Sequence, residues 1–97
     1  MNLKIKRIVT GFMRGLIGNN SSKDLCWISS LPLCSYLNLC GCDAFLVEGM
    51  VGRCHHWWIE TADGEIIDAT ADQFKQPDGS PMPRIYFGKR PEWYKPL

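Results

Sequence analysis

Ile5, Ile8, Val9, Phe12, Met13, Leu16 and Ile17 recur at the three- and four-residue spacing of one helical face. Lys4, Lys6, Arg7 and Arg14 fill the other positions. The pattern predicts an amphipathic first helix that stops at Gly18-Asn19. A basic, apolar helix also suits a membrane surface. The expectation is core packing, because a chain this small has few apolar faces to spare. "NNSSKD" follows as a loop, with Ser21, Ser22 and Asp24 as candidate N-caps. Cys26, Ser30, Leu33, Leu37 and Cys40 then keep near-helical spacing, and Gly41 closes a second helix. Pro32 interrupts it: proline lacks a donor and clashes with the preceding turn. The helix either begins near Ser29 or Ser30 or bends at Pro32.

From Asp43 the period changes. "AFLVEGMV", interrupted by Gly49, and "HHWWIET" read as strands rich in aromatic and β-branched residues. Asp63-Gly64 marks a tight hairpin, and "EIIDAT" is the returning strand. "DQFKQPDGSPMP" is a proline-rich loop, "RIYFG" a fourth strand, and "KRPEWYKPL" an extended tail. The order predicts an α+β fold, with N-terminal helices packed on one face of a small antiparallel β-sheet. With no internal repeat and no linker, residues 1–97 are expected to form a single domain.

Composition narrows the function classes. The chain has 97 residues, 45% hydrophobic and 22% charged, with a net charge of +1. That balance gives no footprint for nucleic acid. No stretch approaches the length of a membrane span, and no clean signal sequence opens the chain. The expectation is a cytoplasmic protein, or one exported by a route that needs no such signal. Five cysteines, an odd count, argue against a fully paired framework and for reduced, metal-bound or catalytic thiols.

Three positions carry candidate chemistry. Cys26 stands at or just before a helix N-terminus, where unpaired N–H groups and the helix dipole stabilise a thiolate. The bland alternative is a buried, inert cysteine. On an extended chain His56, Trp58 and Glu60 share one face, and His55, Trp57 and Ile59 the other. The Asp63-Gly64 hairpin brings Asp68 onto the neighbouring strand, where its carboxylate can orient a histidine ring. Here the alternative is a half-buried sheet histidine beside an exposed aspartate.

The order Cys26, then "HWWIE" from His56 to Glu60, then a hairpin, then "DAT" from Asp68 to Thr70 resembles the transglutaminase-like branch of the papain-like cysteine enzymes. "DGEIIDATADQF" also looks like small bacterial and phage proteins of that superfamily. The likeness spans roughly Asp24 to Phe74 and implies a minimal papain-like or transglutaminase-like fold. It implies Cys26 as nucleophile, His56 as general base and Asp68 as its orienter. Trp58 would be the shielding aromatic, with Thr70 and Gln73 supporting the aspartate. The chain departs from the pattern at Pro32 and in having no glutamine upstream of Cys26 as oxyanion donor; Asn19, Asn20 or the Cys26 backbone N–H would have to substitute. The implied activity is acyl transfer at peptide or protein amides, as a peptidase (thiol protease), amidase or deamidase, or transglutaminase-like enzyme, with no cofactor.

Two other classes compete. Cys40, Cys42, Cys54, His55 and His56 could hold zinc, with Cys34 or Cys26 nearby, but a one-residue gap and three consecutive ligands suit tetrahedral zinc poorly. The same scaffold could be a non-catalytic binding module, since Tyr86, Phe87, Trp93 and Tyr94 lie among cations in the tail. Such a tail ordinarily pins a small core. A protein partner or a second copy of the chain is left open as a way to shape the cleft.

Overall fold

The computed structural model describes residues 2–17 and 26–97, with the side chains at 17 and 26–28 left aside. Gly18, Asn19, Asn20, Ser21, Ser22 and Asp24, with the stop, caps and oxyanion donor expected there, lie outside the described residues. Two helices precede a sheet: α1 (Leu3–Ile17), α2 (Cys26–Leu39), β1 (Ala44–Val51), β2 (Cys54–Thr61), β3 (Glu65–Asp68), β4 (Tyr86–Lys89) and β5 (Tyr94–Pro96). A 3-10 turn, Ala71–Gln73, follows β3. The fold is α+β, with five strands in the order β4-β3-β2-β1-β5, each paired antiparallel to its neighbours.

Local chemistry accounts for the helix ends. Asn2 Oδ1 accepts the Ile5 N–H at 2.9 Å and caps α1. At the end of α2, Gly41 takes a positive φ of 83°. There Cys42 N–H reaches the Leu37 carbonyl and Gly41 N–H that of Asn38, the paired bonds of a Schellman cap. Asn38 then ties the helix to β1: its Nδ2 donates to the Ala44 carbonyl at 2.9 Å, and its Oδ1 accepts the Ala44 N–H.

Pro32 neither starts α2 nor breaks it. The helix runs from Cys26 through Pro32 to Leu39. Leu31 and Pro32 are exposed, whereas Ser29, Ser30, Leu33, Cys34 and Leu37 are buried. The ring therefore points to solvent, and the ladder bond it forfeits is offset by burial of the opposite stripe. The tail differs from expectation too: "RIYFG" supplies only its second half to β4, and "EWYKPL" supplies a fifth strand on the β1 edge.

The sheet has a core on each face. On one, Val9 and Met13 of α1 and Leu33 and Leu37 of α2 meet Ala44, Ile59 and Ile67. On the other, Val51, Trp58, Ile66, Ala71, Met82 and Tyr94 pack together. The apolar stripe of α1 is thus used in the core, although Leu16 at its end is exposed. Among the described residues no helix is long and apolar enough to cross a membrane.

Candidate active site

Strand alternation sorts the two histidines. Register pairs Gly49 with His56, Val47 with Trp58, Glu48 with Trp57 and Met50 with His55. His55 lies on the outer part of the helix-packed face, exposed, with its Nε2 2.5 Å from Glu48 Oε2. His56 turns the other way and is wholly buried among Trp58, Phe74 and Tyr94. The β2–β3 hairpin returns through Gly64, at φ 85°, whose N–H bonds the Thr61 carbonyl. Asp63 accepts from Thr61 and from the Glu65 N–H, and these bonds hold its carboxyl below the usual carboxylate range. Ile59 and Ile67 therefore face the helices, while Asp68 comes up beside His56.

The geometry at Asp68 is closely determined. His56 Nε2 lies 2.9 Å from Asp68 Oδ2, with both side chains fully buried. Oδ1 accepts the Thr70 backbone N–H at 3.1 Å and the Thr70 hydroxyl at 3.4 Å. The Gln73 amide donates 3.0 Å bonds to the Thr70 hydroxyl and carbonyl. Tyr94 donates its hydroxyl to Oδ2 at 2.6 Å. With donors already on both oxygens, Asp68 acts toward the ring as an acceptor. The network thus assigns the imidazole hydrogen to Nε2 and leaves the lone pair on Nδ1. His56 Nδ1 is buried and has no hydrogen-bond partner among the described residues.

Trp58 stacks near His56, with centroids 6.2 Å apart at 30°, and is itself wholly buried. Its ring explains the glycine that interrupts β1. A Cβ on Gly49 would lie 2.4 Å from Trp58 Cη2 and 2.4 Å from the Lys95 carbonyl oxygen. Phe74 sits closer to the imidazole than Trp58 does, edge-on at 4.6 Å.

The structure therefore brings together His56, Asp68, Trp58, Thr70 and Gln73. It adds Phe74 and Tyr94, which the sequence reading had left without a role at the site. Phe74 ends the quoted "DATADQF" stretch, so its proximity was a local signal. Tyr94 carries no such signal, being 26 residues from Asp68. Cys26 opens α2, but its side chain, like Asn20, lies outside the described residues. Of the other cysteines, Cys34 is buried, and burial pushes its thiol pKa up and so disfavours the thiolate.

Zinc finds little support in this arrangement. Cys42 precedes β1 and Cys54 begins β2, so the eight-residue strand β1 separates them. At about 3.3 Å per residue that is over 20 Å. His55 and His56 face opposite sides of the sheet, and among the described residues no three His, Cys, Asp or Glu side chains gather as a metal site would require. The tail aromatics are largely spent on the fold: Tyr94 is wholly buried, and Tyr86 and Trp93 pack against its cluster.

Comparison with protein-family models, curated proteins and solved structures gives no match. The likeness to transglutaminase-like enzymes therefore stands on the motif residues alone.

Proposed function

We propose that the chain is a cysteine-dependent acyl-transfer enzyme acting on peptide or protein amides, with Cys26 as nucleophile, His56 as general base and Asp68 as orienter. One observation carries this reading. A fully buried histidine is bonded through Nε2 to a fully buried aspartate, and its Nδ1 has no partner among the described residues. Burying an imidazole with an unsatisfied nitrogen costs about 1–3 kcal/mol, a cost that makes sense where that nitrogen must meet a reacting group.

The backbone supports the third member. Asn38 anchors the C-terminal end of α2 to Ala44, which pairs with Thr61. From Asn38 back to Cys26 the helix rises about 18 Å. From Thr61 back to His56 the strand spans about 17 Å. Because α2 packs along β1 and β2, these lengths bring the two positions to the same end of the sheet. His56 projects from the face opposite α2, so the thiol and ring would meet around that end of the sheet.

In the proposed reaction His56 Nδ1 takes the Cys26 thiol proton, and the thiolate sulfur adds to the amide carbonyl carbon. The C–N bond then breaks as His56 returns the proton to the leaving amine, giving a thioester. Attack by water gives hydrolysis or deamidation; attack by an amine gives transamidation. Either nucleophile loses its proton to His56, which passes it to the departing thiolate.

Labelling by an iodoacetamide-type probe, mapped by mass spectrometry at each cysteine, tests the assignment. Cys26 is expected to react fastest, and His56→Ala to slow it by about a hundredfold or more while Cys54 is unaffected. Cys26 reacting no faster than the exposed Cys54, or at full rate in His56→Ala, would sink the assignment.

A further inference from the structure

The geometry points to Tyr94 as a positioning residue for His56: its hydroxyl holds the carboxylate oxygen that takes the imidazole, and so keeps Nδ1 turned toward the reacting group. This rests on the reading of His56 as the base. Tyr94 Oη and His56 Nε2 converge on the same atom, Asp68 Oδ2, at 2.6 and 2.9 Å. A buried tyrosine needs only some acceptor for its hydroxyl. This one spans the sheet to find that oxygen. It stands on β5, at the β1 edge, whereas Asp68 ends β3, with β2 and β1 between them in the sheet order.

The ring has little freedom to do otherwise. It packs edge-on against Trp58 at 5.3 Å, Trp93 at 4.9 Å and His56 at 6.4 Å. Pairing of Tyr94 with Val51, and the Gly52 N–H on the Trp93 carbonyl, anchor its backbone. Burial and the neighbouring Asp68 charge raise the Tyr94 pKa, so the hydroxyl remains a donor. The torsion that turns a carboxylate is broad and roughly two-fold. Thr70 holds Oδ1 from one side, and Tyr94 completes the clamp by holding Oδ2. With Tyr94 absent, Thr70 would still hold Oδ1, but only His56 itself would hold Oδ2, the oxygen meant to orient it.

Tyr94→Phe keeps the ring and removes the single hydroxyl. Two readouts on the full chain separate positioning from simple packing. In the wild-type protein, ¹⁵N–¹H spectra of His56 should show the Nε2–H tautomer with a slowly exchanging proton. In Tyr94→Phe that proton should exchange at least tenfold faster, with some Nδ1–H tautomer present, and Cys26 labelling should slow about tenfold, the scale of one hydrogen bond to a charged group. Met82→Ala opens a cavity in the same cluster and should leave the His56 spectrum unchanged. An unaltered His56 spectrum in Tyr94→Phe overturns the proposal. Should Tyr94→Phe fail to fold, the wild-type protein decides. A slowly exchanging Tyr94 hydroxyl proton close to His56 Nε2–H supports the clamp, and a rapidly exchanging one overturns it. A wild-type Cys26 no more reactive than Cys54 defeats the catalytic reading by itself, whereas the His56 spectrum judges Tyr94 in either case.

Discussion

On the helix-packed face of the sheet, Ile59 and Ile67 meet Leu33, Leu37, Val9 and Met13 in an apolar cluster. On the opposite face, Trp58, Ile66 and Tyr94 surround His56, Asp68 and Thr70, all wholly buried. The first face is held by area removed from water, which is non-directional and tolerates a change of shape. The second is held by hydrogen bonds whose partners must be present and aimed, because a buried polar group left alone costs more than its bond gains. Two sides of one small sheet thus obey different rules. The side with the stricter rule carries the candidate chemistry.

Conservative substitutions should expose that difference most strongly. Leu37→Met keeps volume and polarity and should cost less than about 1.5 kcal/mol. Asp68→Asn is just as close in size, yet it replaces one of two acceptor oxygens with an NH₂, which must face either the Thr70 donors or those of His56 and Tyr94. Each buried donor stranded in this way should cost about 1–3 kcal/mol. Urea denaturation of both variants measures the contrast. Equal losses would mean that the polar face packs like the apolar one.

Much of this contrast was legible in the chain. Alternation put His56 and Trp58 on one face and His55 on the other, and Asp63-Gly64 predicted the hairpin that delivers Asp68. These are local signals, read over a few residues. What escaped is non-local or depends on packing. Pro32 was weighed by a local rule, but its ring points to solvent and the buried stripe behind it keeps α2 continuous. A three-residue strand such as β5 has no periodicity to detect, and Tyr94 reaches Asp68 only because β5 adds to the far edge of β1. Gly49 read as a defect in a strand pattern; its cause is an indole ring on the next strand.

One substitution made in both regions should give opposite signs. At Gly49 an added methyl meets the Trp58 ring and the Lys95 backbone oxygen at 2.4 Å each, and backbone cannot swing aside as a side chain can. Gly49→Ala should cost about 1–3 kcal/mol or more and should displace Trp58, visibly shifting tryptophan fluorescence. Gly11 lies within α1, with nothing among the described residues within 4 Å of its added Cβ. Gly11→Ala should therefore stabilise by about 0.5–1 kcal/mol, the helix preference for alanine. Thermal melts decide both, and a stabilising Gly49→Ala would mean that Trp58 is not wedged over that strand.

The narrowest effect is confined to alkaline solution and isolates one atom of the polar face. The pKa of Tyr94 is raised in the folded protein by burial and by the charge on Asp68, while in the unfolded chain it should lie near the ordinary value of about 10. Above that pH the unfolded chain releases the tyrosine proton and the folded protein keeps it. The native state then binds more protons, and stability falls as pH rises. The slope approaches about 1.4 kcal/mol per pH unit from this group alone. Below about pH 9 the group contributes no pH dependence, because both states hold the proton. Wild type and Tyr94→Phe differ in this one hydroxyl, so the difference between the two stability curves between pH 9 and 11.5 reports Tyr94. It should narrow with rising pH, because only wild type loses this contribution. Parallel curves would mean that the Tyr94 hydroxyl ionises as readily in the folded protein as in the unfolded chain, a result at odds with a buried donor on Asp68.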